Sequence, residues 1–256
     1  MKFLERFVGV CLGVSDEMAI SRVVGSLALV PASIAWALGG SLPTAVLYAL
    51  GQVAATGFIV SLAATDFAAK KTTGLLGKGN TGKVGLWSCC VFWPYHLGLR
   101  VKLWWRRTHS AEPLFHEIIP GWFLGGWPKN ASSLPPGNPS VMDVTCELPR
   151  THNVGSYLCL PTWDTHGPTT SMIEEGVEWA FKEKESGAPI YIHCAHGHGR
   201  SATILCACLI KDGQASTMEE AIAISKAKRP KVKMNRRQRQ VLQDWLDLRK
   251  KEEASG

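Results

Sequence analysis

From Val23 to Thr65 the chain runs for 43 residues without an Asp, Glu, Lys, Arg or His. A helix at a water surface keeps one polar face, and this run has none that is charged. A membrane-spanning helix needs about 20 apolar residues, so the run is long enough for two. Gly39-Gly40-Ser41-Leu42-Pro43 breaks it with a turn signal. The expected structure is a transmembrane helical hairpin over 23–65, with helices at about 23–39 and 43–65, each closing its own backbone hydrogen bonds as hydrocarbon requires. Gly25, Ala28, Ala32, Gly51 and Ala55 are small enough to let the helices approach closely. The competing structure is a pair of buried helices in a soluble bundle.

Charge separates the 256-residue chain into unlike parts. Residues 1–109 hold 11 Lys and Arg against 4 Asp and Glu, and residues 110–256 hold 17 of each. The whole net charge of +7 therefore belongs to the N-terminal part. A basic excess beside long apolar runs and aromatics points to an anionic lipid surface and away from nucleic acid. Arg22 precedes the hairpin and Lys70, Lys71, Lys78 and Lys83 follow it, while the turn has no basic residue. Both ends are thus expected on the cytoplasmic side. The N-terminal segment 1–22 would lie there too, its apolar stretch being short for a cleaved signal peptide.

Residues 66–109 read as a basic, aromatic juxtamembrane segment. Gly77-Lys78-Gly79-Asn80-Thr81-Gly82-Lys83 has the wrong spacing for a nucleotide-binding loop, and no strand precedes it. Residues 84–105 combine Trp87, Trp93, Tyr95, Trp104 and Trp105 with Arg100 and Lys102, which suits the headgroup layer. A third span is the rival, and it would carry the following domain across the membrane.

The chemistry is concentrated at His193-Cys194-Ala195-His196-Gly197-His198-Gly199-Arg200-Ser201. An apolar stretch, Ala188–Ile192, leads in, and a second, running on to Ile210, is long enough for a helix. A loop between strand and helix presents backbone N–H groups and the positive end of the helix dipole to an anion. Gly197 and Gly199 let such a loop curl, and Arg200 can clamp two phosphate oxygens with its planar fork. The same field lowers a thiol's pKa from about 8.5 to roughly 3.5–7.5, making Cys194 a candidate nucleophile. Ser201 is placed to hydrogen-bond its sulfur. The eight cysteines show neither zinc spacing nor a disulfide framework, and a thiolate needs a reducing compartment.

This motif resembles that of the cysteine-dependent protein tyrosine and dual-specificity phosphatases, whose His-Cys-x5-Arg-Ser/Thr signature is matched by His193, Cys194, Arg200 and Ser201. Ile119–Gly126 is similar to the family's opening strand, Val141–Pro149 to its second, and Arg229-Pro230 through Gln238 to the segment after its catalytic helix. The resemblance covers about residues 113–250. It implies a phosphocysteine mechanism without metal or organic cofactor, on phosphorylated protein or on phospholipid. It also implies a general-acid Asp about 30 residues before the Cys. Asp164, on the loop Pro161–Pro168, fits that place; Asp143 is the competitor but lies in a strand. His193 is expected to support the loop, Ala195, His196, Gly197, His198 and Gly199 to form the phosphate cradle, and Gln238 to place water. Lys226–Arg239 carries eight basic residues in fourteen positions, either a solvated face or a surface for acidic substrates.

Strands alternating with helices argue an α/β domain over 110–256, with helices flanking a mainly parallel central sheet as in protein tyrosine phosphatases. Ser171-Met-Ile-Glu174 and Thr217-Met-Glu-Glu220 read as capping boxes. In the last helix Val241, Leu242, Trp245 and Leu248 are expected to face inward. The reading is a membrane-anchored phosphatase with its catalytic domain on the reducing side. A phospholipid phosphatase and a phospho-ligand-binding scaffold are the alternatives, and the sequence leaves the oligomeric state open.

Overall fold

The structure, a computed structural model, describes residues 19–255. The expected segment 1–22 lies outside the described residues as far as Met18. The chain divides into two compact units: the first runs to Gly77 and resumes over Val84–Glu112, and the second comprises Lys78–Lys83 and the chain from Pro113. The division after Glu112 falls three residues beyond the boundary expected at 109. Lys78–Lys83, expected in the juxtamembrane segment, instead belongs to the second unit.

In the first unit, α1 (Ile20–Leu38) and α2 (Thr44–Ala63) form the expected hairpin. Both are long and apolar enough to cross a membrane. Glycine sets their spacing. A Cβ on Gly57 would lie 2.6 Å from that of Ala28, and one on Gly25 would lie 2.7 Å from Ser61 Oγ. Ser61 donates a 2.7 Å hydrogen bond to the Ser21 carbonyl, closing the open end of the pair. Gly51, expected at this seam, has nothing within 4 Å of the place a Cβ would occupy. Gly57 supplies the close approach instead, because it stands where Ala28 crosses. Away from the seam Leu29, Val30, Tyr48 and Leu62 are exposed, and Trp36 is 89% exposed. Two short helices follow, α3 (Leu86–Val91) and α4 (Trp93–Thr108). Neither passes as a membrane span, and α4 carries Arg100, Lys102, Arg106 and Arg107 along its 16 residues.

The second unit is built on a five-stranded sheet in the order β1-β2-β5-β3-β4. β1 (Phe115–Ile119) and β2 (Trp122–Gly126) are antiparallel. β3 (Ser140–Asp143), β4 (Tyr157–Cys159) and β5 (Ile190–Cys194) run parallel to β2. The sequence pattern gives one strand near Ile119–Gly126; the structure has two, folded about Gly121 at φ +78°. Alternating side chains send Leu124, Met142 and Ile192 to one face and Phe123, Val141 and Tyr191 to the other. The first face is covered by α5 (Thr170–Glu185), α6 (Arg200–Lys211), α7 (Met218–Lys228) and α8 (Arg236–Ser255). α6 is buried along Arg200–Leu209, so it is a core helix with almost no solvent face.

Two helix starts separate local from tertiary control. Thr217 Oγ1 accepts the Glu220 N–H at 3.1 Å, and Glu220 reaches back to the Ser216 N–H at 2.7 Å, a capping pair as expected. α5, however, starts two residues earlier than Ser171 implies: Thr169 is its N-cap and accepts the Met172 N–H at 3.2 Å. In α8, Leu242 and Trp245 are buried, whereas Leu248 is 48% exposed, the inward stripe ending one turn earlier than the sequence pattern implies.

If Gly57 sets the helix spacing, Gly57→Leu will lower the thermal stability of the detergent-solubilised protein, and Gly51→Leu, which meets open space, will leave it within error of wild type. Tryptophan fluorescence during heating reads both.

Candidate active site

β5 ends at Cys194 and α6 begins at Arg200, so the five residues between form a tight turn at the edge of the core. Its shape is set by close backbone approach. Gly197 has φ +76°, and a Cβ there would overlap the Gly125 carbonyl of β2. A Cβ on Gly199 would lie 2.7 Å from Gln238 Oε1. Glycine at these positions lets the loop sit between the sheet and α8.

The loop's carbonyls are held away from its centre. The Ala195 carbonyl accepts the Trp127 N–H at 3.3 Å and the His198 carbonyl accepts the Lys233 N–H at 3.0 Å. Arg229, 2% exposed, donates to the His196 carbonyl at 2.8 Å and to the Gly197 carbonyl at 3.1 Å. In a trans peptide the N–H points opposite to the C=O. Tying back four successive carbonyls therefore turns the N–H groups of His196, Gly197, His198 and Gly199 toward the opposite side, an anion-binding nest. Gly197 N–H already donates to Cys194 Sγ at 3.2 Å.

Cys194 is 4% exposed. Burial alone would raise its thiol pKa, but the Arg200 guanidinium, the Ser201 hydroxyl at 3.3 Å and loop amides outweigh it and hold the thiol below its ordinary value. Two other thiols go the opposite way: burial pushes Cys206, in the core, up to about 12 and the half-buried Cys159 up to about 11. His193 is 2% exposed, and burial holds its imidazole down at about 4 against the pull of Asp143. It is neutral at neutral pH and lies 3.4 Å from the Cys194 carbonyl through Nδ1, consistent with support of the loop.

Arg200 is fully enclosed. Its Nη1 and Nη2 donate to Glu147 at 2.9 and 2.7 Å, a two-point pair, and Nη1 also reaches the Thr162 carbonyl at 2.7 Å. Asp164 completes the arc: its Oδ1 accepts from Arg200 Nη2 at 3.2 Å and from the Thr165 N–H at 3.1 Å. Thr165 takes the left-handed conformation, φ +64°, uncommon without glycine. The turn is fastened by Asn235 Nδ2 to the Thr165 carbonyl at 2.8 Å and by Gln238 Nε2 to the His166 carbonyl at 3.1 Å. Gln238 thus touches both the Asp164 loop and Gly199 of the Cys194 loop.

The structure brings Cys194, Arg200, Ser201, Asp164 and Gln238 together. It adds Glu147, to which no role was assigned from sequence, and Arg229, which the sequence offered within the basic run Lys226–Arg239 and which is buried instead of surface-facing. Glu147 had one available signal, its place just beyond the buried β3. Asp143 makes structural hydrogen bonds, accepting from the Thr145 N–H and hydroxyl and from the Tyr157 hydroxyl, the last at 2.7 Å.

A family model described as dual specificity phosphatase, catalytic domain, matches residues 139–247. Residues 139–247 are a dual specificity phosphatase catalytic domain. The chain is also similar in sequence to the phosphatidylglycerophosphatase and protein-tyrosine phosphatase 1 of Rattus norvegicus, 41% identical over 76 residues, which is 29% of this chain and 39% of that protein. The Homo sapiens protein of the same name is 40% identical over 70 residues, 27% of this chain and 35% of that one. The chain therefore matches well under half the length of these curated relatives. The crystal structure of PTPMT1 in complex with PI(5)P aligns at 26% identity and a TM-score of 0.46, over 52% of this chain and 94% of that one.

The depressed Cys194 thiol predicts selective chemistry. Iodoacetamide will alkylate Cys194 at a lower pH than Cys206 and Cys159, whose thiols burial raises, and Arg200→Met will move the Cys194 profile to higher pH. Peptide mass spectrometry across a pH series measures both.

Proposed function

We propose that the chain is a membrane-anchored phosphatase that hydrolyses phosphate monoesters through a phosphocysteine intermediate. The observation that carries this reading is the Cys194 sulfur, buried yet accepting from the Gly197 amide and the Ser201 hydroxyl beside Arg200.

In the first step Cys194 Sγ attacks phosphorus, an S–P bond forms and the ester P–O bond breaks. The loop amides and Arg200 hold the non-bridging oxygens as charge develops on them. Asp164, partly exposed beside Arg200, gives its proton to the leaving oxygen. In the second step water attacks phosphorus, Asp164 takes its proton, the S–P bond breaks and inorganic phosphate leaves. Ser201 stabilises the departing thiolate. Gln238, lying between the two loops, serves to position that water. His193, Ala195, His196, Gly197, His198 and Gly199 form the cradle.

The favoured substrates are phosphotyrosine and, through the same chemistry, phosphoserine and phosphothreonine in proteins. A second reading, a phospholipid phosphate monoester, is supported by the relatives whose name includes phosphatidylglycerophosphatase and by the hairpin. The exposed apolar face of that hairpin, with Trp36, Leu29 and Leu62, supports insertion in a bilayer, since a soluble bundle would bury it. A hairpin returns the chain to the side it left. Arg22, Lys70, Lys71 and Lys83 at its ends support, through the positive-inside preference, a catalytic unit on the cytoplasmic, reducing side. Lys226, Lys228, Lys231, Lys233, Arg236 and Arg237 supply basic surface for anionic lipid or an acidic substrate.

The test is phosphate release by the full chain in detergent, from a phosphotyrosine peptide and from a lipid phosphate monoester in mixed micelles. Cys194→Ser is expected to abolish release, and Asp164→Asn to lower kcat by about 10²- to 10⁴-fold. Faster peptide turnover supports the protein phosphatase, faster lipid turnover the second reading. Absence of Cys194-dependent release from both overturns the enzyme reading in favour of a phospho-ligand-binding scaffold.

A further inference from the structure

Lys78 belongs to a six-residue hairpin, Lys78–Lys83, that is part of the catalytic unit although the chain on both sides of it belongs to the first unit. It lies outside the matched phosphatase model, which begins at residue 139. The hairpin is closed on itself by Gly79 N–H to the Lys83 carbonyl at 3.0 Å and Gly82 N–H to the Gly79 carbonyl at 2.8 Å. It is fastened to the unit by the Arg150 N–H, which donates to the Gly82 carbonyl at 2.7 Å. Gly82 has φ +78°, and a Cβ there would overlap the Tyr157 hydroxyl.

The Lys78 side chain is fully buried and uses its ammonium group completely. Nζ donates to Asp143 Oδ2 at 2.7 Å, to the Thr145 carbonyl at 2.7 Å and to Thr145 Oγ1 at 3.0 Å. Three N–H donors meet three acceptors. Asp143 in turn accepts from the Tyr157 hydroxyl through Oδ2 and from the Thr145 N–H and hydroxyl through Oδ1. A buried carboxylate with no counter-ion is strongly unfavourable, so this network requires the lysine.

What the network holds is the underside of the catalytic loop. Asp143 pairs with His193 across β3 and β5, and its Oδ2 lies 3.9 Å from His193 Nε2. His193 precedes Cys194. Two residues after Thr145 comes Glu147, which grips Arg200 with both oxygens. One short segment, 143–147, therefore carries the Lys78 anchor at one end and the Arg200 anchor at the other.

We propose that Lys78 is a positioning residue for the reaction: it fixes segment 143–147, and through Glu147 and His193 it sets Arg200 and the Cys194 loop. The catalytic site of this chain thus depends on a residue contributed from the segment that follows the membrane hairpin. The proposal rests on the phosphatase reading for its kinetic consequence and on geometry alone for its effect on Cys194.

The experiment compares the wild-type full chain in detergent with Lys78→Met and with Lys83→Met, which alters an exposed lysine of the same hairpin. Each protein is assayed for kcat and KM on a phosphotyrosine peptide, for the pH profile of Cys194 alkylation by iodoacetamide, and for thermal stability. Lys78→Met is expected to lose about 10- to 100-fold in kcat/KM, the scale of a small displacement of the reacting groups. Its Cys194 profile is expected to move to higher pH, because Arg200 is no longer held in place. Lys83→Met is expected to match wild type in every measurement. The proposal is overturned if folded Lys78→Met keeps the wild-type alkylation profile, whether its turnover is unchanged or falls only with the folded fraction. Should Lys78→Met fail to fold, Lys78→Gln, which retains a donor but shortens its reach, is read by the same criterion. If wild type releases no phosphate, the phosphatase reading falls, while the alkylation profiles still decide the role of Lys78.

Discussion

A negative charge held out of water is the constraint on which the catalytic unit depends. Cys194 is 4% exposed, and a negative charge on its sulfur would be unfavourable unless cations and oriented dipoles surrounded it. Arg200 supplies the cation, but an enclosed guanidinium has the same problem with the opposite sign. Glu147 answers that with a two-point pair, and the Thr162 carbonyl and Asp164 take further donors. Each solvation deficit is thus met by the next group outward, until the chain of partners reaches partly exposed Asp164. A buried pair of this kind contributes little net stability against an apolar replacement. Its justification is placement: a planar fork held at both nitrogens has one orientation.

The same reasoning explains why the loop is made as it is. N–H groups can converge on an anion only if their carbonyls are satisfied elsewhere. Trp127, Arg229 and Lys233 do this from three separate parts of the unit. Arg229 further reaches the Pro113 carbonyl at 3.1 Å and His116 Nδ1 at 2.9 Å, so one side chain ties β1 and its leading segment to the back of the loop. Gly197 and Gly199 are the corollary. The loop is pressed so closely between β2 and Gln238 that a methyl group at Gly197 would overlap the Gly125 backbone and one at Gly199 would push aside the Gln238 carboxamide. In the proposed reaction such pre-set donors would need no reorganisation when charge appears.

How much of this was legible in the sequence follows from the range of the interactions. Cys194, Arg200 and Ser201 lie within eight residues, and a strand, a turn and a helix fix their relation; local pattern suffices. The helical hairpin is legible because absence of charge is a property of the run itself, and Thr217 because its cap closes within four residues. Gly51 and Gly57 look alike in sequence, and only the crossing point with Ala28 distinguishes them. Ser171 has the form of a cap, but Thr169 holds the position because the preceding loop delivers the chain there. Glu147 and Arg229 act on residues 53 and 32 positions away; apart from the place of Glu147 just beyond β3, nothing nearby marks either as more than an ordinary charge. Lys78 is the extreme case. In a glycine- and lysine-rich stretch it has every appearance of a solvated side chain, and its partner stands 65 residues further on.

The two buried cations also show why each is the residue it is. Arg200 meets a carboxylate edge-on, where two parallel N–H donors match two oxygens. Lys78 meets three acceptors arranged around a point, one carboxylate oxygen and two oxygens of Thr145, which an ammonium group satisfies and a planar fork does not. Their carboxylates, Asp143 and Glu147, are four residues apart on one segment emerging from β3, so neither pair can move without the other. In the part between them, Val144 donates to the His193 carbonyl at 2.8 Å and the Cys146 N–H reaches the Thr162 carbonyl at 3.3 Å. The segment is thereby joined to the strand that carries Cys194 and to the loop that carries Asp164. A displacement at Lys78 has no soft element in which to be absorbed before it reaches the sulfur, since close-packed interiors transmit strain instead of dissipating it.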